Sequence, residues 1–216
     1  LAAAIPMSIS RSGVIALVLG LAIFSTGWAW RQRANFAAVA IVMVVAFQAA
    51  IPGLLGTIRS LFKNIGTDNS ISGRTEDFGA TAVFIEERPW LGRGPGTFVI
   101  ERYRVLDNEY LGTLLERGWI GVGSLVLLLG CSGLTALWIV MNSRSARVRS
   151  LSRAIGANFV VAFVVFAMFD ALAFPIYSGL LFVMIGCLGG LYRFEKIEQS
   201  EARANHASIP VGLDRS

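Results

Sequence analysis

The sequence predicts an all-α polytopic membrane protein with about five transmembrane helices and one long outer loop that contains short amphipathic helices. Of its 216 residues, 55% are hydrophobic and 15% are charged, against about 45–50% and about 25% in a soluble domain. The apolar residues form blocks of about 20 residues, the length that one helical crossing needs. This composition excludes a soluble globular domain, and two cysteines are too few for a disulfide scaffold.

The predicted spans follow from the uncharged blocks. Residues 12–30, 34–51 and 118–142 each carry no charge. The stretch 154–192 has Asp170 as its single charged residue and is too long for one span, so turn-forming residues at 174–179 should divide it into two. The predicted domains are two transmembrane helices in 1–51, an extracytoplasmic loop in 52–117, three transmembrane helices in 118–192 and a tail in 193–216.

The arginines predict the orientation, because short cytoplasmic loops retain Lys and Arg. Two arginines separate the first two spans, and four lie in 143–153 without an acidic neighbour, whereas the loop 52–117 has eight basic and nine acidic residues. The basic loops and the tail are therefore predicted to be cytoplasmic, and the long loop to face outward. We interpret these clusters as topology signals beside the lipid bilayer and expect no nucleic-acid partner. The tail, with balanced charge, is expected to be disordered.

This orientation places the first residue outside, although the sequence starts with Leu rather than Met and does not begin with a signal peptide that has a charged n-region. We therefore expect the chain to be the C-terminal part of a longer protein, with further transmembrane helices of the same protein upstream. Those helices would be partners of the spans described here.

The outer loop contains two helical patterns. The first covers 75–88, ends before Pro89 and is expected to lie on the membrane surface, with one apolar face formed by Phe78, Ala82 and Ile85. The second covers 108–116, is capped by Asp107 or Asn108, and leads through Gly118 into the third span. Its expected apolar face is formed by Leu111, Leu114 and Leu115.

Several motifs, in this order, resemble the C-terminal portion of the O-antigen ligase and O-antigen polymerase superfamily. They are Ser10–Gly13 with Arg11 at the outer end of a span, Ser72–Arg74, Pro89–Gly96, Asp107–Leu111 and Leu115–Gly121. The resemblance covers residues 8 to about 192. It implies a GT-C-like membrane glycosyltransferase that acts as a glycan ligase or polymerase.

The resemblance also implies substrates and site residues. A saccharide would move from a polyprenyl-diphosphate carrier to a glycan or lipid acceptor at the outer face of the bacterial plasma membrane. Asp107, Arg11 and Arg74 would be catalytic, and the two arginines would bind the diphosphate, since a guanidinium offers a permanently charged fork of donors. Asn108, Glu109 and Tyr110, which share the motif of Asp107, would support it. No metal site is expected, because His206 stands alone in the tail, and no cofactor is expected.

Some alternatives remain open at this level. Many relatives have His where this chain has Asp107, so this residue is either a general base or only a helix cap. Asp170 is either a functional charge or a hydrated residue of the hairpin, and we favour the structural role. A transporter or flippase fragment, or a non-catalytic relative, is the alternative function. The sequence does not distinguish ligation from polymerisation.

Overall fold

The computed structural model describes residues 11–50, 53, 56, 59, 79, 81–97 and 106–207. Within these residues it is all-helical. The five main helices are α1 (Arg11–Ser25), α2 (Trp30–Ala50), α3 (Glu109–Asn142), α4 (Ala146–Val165) and α5 (Pro175–Ala207). A short helical stretch covers 81–87. Helices α2 to α5 are each long and apolar enough to cross a membrane, and α1 is a shorter apolar helix, so the predicted all-α polytopic membrane fold is confirmed.

The turn between the first two helices comes earlier in the chain than predicted. The predicted span 12–30 ends at Ser25, and α2 begins at Trp30 rather than at residue 34. Arg33 therefore lies in the first turn of α2, where its guanidinium donates to the carbonyls of Ser25 (3.1 Å) and Thr26 (3.1 Å). This arginine satisfies carbonyls that the end of α1 leaves without a helical partner.

The hairpin between α4 and α5 also differs from the prediction. The chain turns at 166–174, and α5 then begins at Pro175, so Tyr177, Ser178 and Gly179 are helical rather than part of the turn. The physical reason is that proline fits the first turn of a helix, where its missing N–H would have no partner in any case. Asp170 consequently lies in the connection between two helices.

The tail is helical further than expected. Helix α5 continues to Ala207, so the expected disorder of 193–216 is wrong for residues 193–207. Glu195 is 2% exposed and accepts a hydrogen bond from the Gln199 amide one helical turn later (3.1 Å). The ammonium group of Lys196 lies 5.0 Å from the ring centre of Trp138 on α3, and this contact ties the end of α5 to the bundle.

Helix α4 is the centre of the bundle and packs against α1, α3 and α5. Gly156 allows a close approach to α3, because a Cβ at this position would lie 2.9 Å from that of Ala136. Helix α2 has no buried residue. The common core comes from α3, α4, the hairpin and α5, and its buried residues are Leu125, Leu129, Ala136, Ile139, Ile155, Phe159, Ala162, Phe166, Ala171, Leu181 and Leu188.

The bundle has two chemically different ends. The basic end contains the turn 26–29 and the connection 143–145, and the acidic end contains the hairpin 166–174 and the beginning of α3. Helix α1 runs antiparallel to α4, since Gly20 lies beside Val161 and Gly27 lies beside Arg153. The backbone of α1 therefore starts, at Arg11, toward the acidic end.

Candidate functional site

The acidic end is organised around a break in α3. Gly118 has φ 63° and ψ −165° inside this helix, a conformation that is essentially restricted to glycine. It separates a loop segment, 109–117, from a membrane segment, 119–142. The predicted passage through Gly118 into the third span is therefore a real change of direction, and it removes the helical partners of nearby backbone groups.

The connector 89–96 supplies new partners for these groups. The Arg93 and Gly94 amides donate to the Leu115 (3.0 Å) and Glu116 (2.8 Å) carbonyls before the break. The Trp119 and Ile120 amides after the break donate to the Pro89 (2.9 Å) and Trp90 (3.3 Å) carbonyls. The two motifs 89–96 and 115–121 thus form one hydrogen-bonded unit, which we call the kink clamp.

Two glycines make the kink clamp sterically possible. A Cβ on Gly118 would overlap the Trp90 carbonyl group and lie 2.7 Å from the Leu91 nitrogen. A Cβ on Gly92, which has φ 67°, would overlap the backbone of Glu116 and Arg117. The backbone of the connector therefore packs directly on Gly118, and the backbone of α3 packs directly on Gly92. Neither position tolerates a side chain.

The short helix before the connector packs on the loop segment of α3. Phe84 and Ile85 contact the buried cluster of Leu106, Leu111 and Leu115. The inward face of this helix differs from the face predicted for 75–88. Ala82 is exposed, whereas Thr81 is buried and Phe84 and Ile85 are half-buried. Phe78 lies outside the described residues. The buried positions follow the i, i+3, i+4 spacing of a helix face, and this face packs on protein instead of membrane.

Asn108, and not Asp107, caps the loop segment. The side chain of Asn108 accepts a hydrogen bond from the Leu111 amide (3.1 Å), and its own backbone is extended. The capping alternative for Asp107 is therefore wrong. The exposed carboxylate of Asp107 lies one residue before this cap, where it does not have to satisfy the helix terminus.

The next two residues of the motif anchor the loop segment to the hairpin and to the end of α4. The Glu109 amide donates to the Phe166 carbonyl (2.8 Å), and the Leu172 amide donates to the Glu109 carboxylate (2.9 Å). The Tyr110 hydroxyl donates to the Phe163 carbonyl (2.7 Å). Glu109 is buried, at 5% exposure. These contacts hold the hairpin beside Asp107, and they give Glu109 and Tyr110 a structural role in the described part of the chain.

A cavity of about 770 Å³ opens between the loop segment, the connector and the hairpin. Four of its lining residues are acidic, namely Asp107, Glu109, Glu116 and Asp170, and Arg117 is the basic lining residue. Burial of Glu109, together with the nearby Asp170 carboxylate, raises the pKa of the Glu109 carboxyl to about 7. Apolar side chains of α5 and the hairpin form the other wall.

The structure locates some of the predicted site residues at the cavity, and others lie apart from it or outside the described residues. Asp107 lines the cavity, and Asn108, Glu109 and Tyr110 support the same region. Helix α1 starts at Arg11, at the acidic end of the bundle. Arg74 lies outside the described residues, so the convergence of Arg11 and Arg74 stays a prediction.

Three further cavity residues were not chosen from the sequence. Glu116 and Arg117 belong to the motif 115–121, which contributes to the family resemblance without a predicted role for either residue, and Asp170 is predicted to be structural. The sequence signal for Asp170 is its isolation, since it is the single charged residue in 154–192. For Glu116, the Gly96 amide donates to its carboxylate (3.0 Å), a contact between residues 20 positions apart that no local pattern predicts.

Comparison with known protein families agrees with this architecture. The O-antigen ligase family matches residues 1–126, more than half of the 216 residues. The matched region contains α1, α2, the connector, the loop segment and the kink clamp, and it ends in the first turns of the membrane segment. A comparison with curated proteins gives no match. The chain is a membrane-embedded member of the O-antigen ligase family.

Proposed function

We propose that this protein transfers a saccharide from a polyprenyl-diphosphate carrier to a hydroxyl group of a glycan or lipid acceptor. In this reaction the acceptor oxygen attacks the anomeric carbon of the donor sugar. The bond between that carbon and the diphosphate oxygen breaks, and the diphosphate leaves with the electron pair. Asp107 takes the proton of the acceptor hydroxyl as general base.

The observation that carries this proposal is the position of Asp107. Its carboxylate lines the 770 Å³ cavity, and the neighbouring Asn108 caps the helix in its place. A general base must be accessible to substrate and must not be engaged with a helix terminus. Asp107 meets both conditions.

The charge of the cavity indicates which substrate it accepts. Four carboxyl groups and one guanidinium line it, and carboxylates accept hydrogen bonds from hydroxyl groups but repel phosphate. The described cavity is therefore suited to the hydroxyl-rich acceptor and the sugar being transferred. The donor diphosphate needs a cationic site next to it.

Arg11 and Arg74 are the residues proposed for this cationic site. The direction of α1 supports Arg11, because the helix begins at the acidic end where the cavity lies. Two guanidinium groups would grip one phosphate each and stabilise the negative charge that develops on the leaving group. The positive-inside distribution of arginines supports placing this end at the outer face of a bacterial plasma membrane.

The test is saccharide transfer in membranes, with a polyprenyl-diphosphate-linked saccharide as donor. Asp107→Asn is expected to lower turnover by about 10²–10⁴-fold, since the amide accepts no proton, with donor binding nearly unchanged. Asp107→His should retain activity, because imidazole also serves as a base, with the acid limb of the rate profile at higher pH. Glu87→Gln removes an exposed carboxylate that does not line the cavity and is the matched control. Transfer by Asp107→Asn at the parent rate would refute the role of base.

A further inference from the structure

A second cavity, of about 560 Å³, lies between α1, α3 and α4. Its walls run along 129–140 of α3 and 152–164 of α4, and glycines at 130, 133 and 156 leave space between the helices. Twelve or thirteen residues of helix extend for about 18–20 Å, which is close to the thickness of one leaflet with its headgroups, about 20 Å. We call this cavity the leaflet groove, since its length matches a single leaflet.

The leaflet groove is apolar along its length and polar at one end. Thr26, Ser152 and Arg153 line that end, and no acidic residue is among the lining residues. Arg153 extends over Gly27, where a Cβ would overlap its guanidinium. The polar end is therefore the basic end of the bundle, close to Arg33 and Arg149. An apolar channel with a cation at its mouth matches the shape and charge of an anionic lipid.

Ser152 gives an independent indication of a ligand. Its side chain is fully buried, at 0% exposure, and its hydroxyl has no hydrogen-bond partner among the described residues. Serine hydroxyls within helices usually bond to a carbonyl one turn earlier, as Ser132 does with Leu128 (2.7 Å). A buried hydroxyl without a partner is costly, so its position on the groove wall points to a polar group of a bound molecule.

We propose that the leaflet groove binds one anionic phospholipid of the leaflet at the basic end. One acyl chain occupies the channel between α3 and α4, and Arg153 holds the phosphate of the headgroup. The ester oxygens, just below the headgroup, supply acceptors for the Ser152 hydroxyl. We do not assign the polyprenyl-diphosphate donor to this groove, because Arg153 lies at the opposite end of the bundle from the acidic cavity.

The test uses the intact purified protein and native mass spectrometry. The protein is titrated with phosphatidylglycerol and with phosphatidylcholine that has the same acyl chains. We expect one tightly bound phosphatidylglycerol, with about fivefold weaker binding after Arg153→Gln, the effect of one arginine near the membrane surface. Gly133→Leu should weaken the binding of both lipids, since its side chain fills the channel, where a Cβ meets no atom within 4 Å.

Arg147→Gln is the matched control, because Arg147 is exposed at the same end and does not line the groove. Its lipid binding should equal that of the parent. Equal losses in Arg147→Gln and Arg153→Gln would overturn the proposal, since they would indicate general attraction to a basic surface. Unchanged binding in Gly133→Leu would also overturn it. The proposal would also be overturned if a polyprenyl phosphate displaced the bound lipid more effectively than phosphatidylglycerol does, because the groove would then be a site for the carrier.

Discussion

Replacing Gly118 with alanine should open the kink clamp and separate the connector from α3. Gly118 combines φ 63° with ψ −165°, and a non-glycine residue held in such a region costs about 1–3 kcal/mol. Its Cβ would also overlap the Trp90 carbonyl group. The connector must therefore move away, and the hydrogen bonds from the Trp119 and Ile120 amides to the connector carbonyls are lost.

The expected loss of stability in the kink clamp follows from the backbone strain and from the lost hydrogen bonds. Two backbone hydrogen bonds contribute about 0.5–1.5 kcal/mol each, so strain and lost bonds together give a local loss of about 4 kcal/mol. A loss of this size corresponds to a factor of about 10³ in the opening equilibrium. Hydrogen exchange at the Arg93 and Gly94 amides, which donate across the same clamp, should accelerate by about that factor.

The control is Gly123→Ala, in the membrane segment of α3, where a Cβ meets no atom within 4 Å. It should leave exchange in the connector unchanged and stabilise the helix by up to about 1 kcal/mol. Gly92→Ala should open the same clamp, and the double variant with Gly118→Ala should lose less than the two single losses combined. Parent-like exchange at Arg93 in Gly118→Ala would refute the reasoning, and so would equal acceleration in Gly123→Ala.

Three further predictions concern the rest of the acidic end and the orientation. Asn108→Ala should cost about 0.5–2 kcal/mol in thermal unfolding, since it removes the helix cap, and an unchanged stability would contradict the assignment of the cap. Glu109→Ala leaves the Leu172 amide without its acceptor and should cost about 1–3 kcal/mol, whereas Glu109→Gln keeps an acceptor and should cost less; equal losses would argue against this hydrogen bond. A membrane-impermeant thiol reagent applied to intact cells should label a cysteine introduced at Thr97 and not one at Ala146, and the reverse pattern would invert the proposed orientation.

The helical class and the membrane were readable from the sequence because both depend on composition and on the length of apolar blocks. Single residues also carried local signals correctly. Leu111 and Leu115 are buried as the helical spacing predicts, and the short loop helix ends at residue 87, two positions before Pro89. Local signals were less reliable at the boundaries of elements. The residues 174–179 predicted a turn, but the chain turns at 166–174 and is helical from Pro175 onward.

The tail and the loop helix show why charge and apolar pattern alone were insufficient. The polar sequence after Tyr192 remains helical because it has a partner in the bundle, where Lys196 lies over the Trp138 ring. The face of 81–87 was misjudged because Phe84 packs on Leu106 and Leu111, residues that are more than 20 positions away. Neither contact leaves a trace in a local window of sequence.

The sequence by itself determined that this chain is an all-α membrane protein with one long polar loop between its apolar blocks, because hydrophobic length and charge are properties of consecutive residues. It also identified Asp107 as a candidate base, but left its competing role as a cap open. Only the tertiary structure assigned the cap to Asn108, joined the connector to the break at Gly118, and brought Asp170 to the same cavity as Asp107. These decisions depend on backbone hydrogen bonds and steric contacts between distant segments, which exist only after the helices have packed.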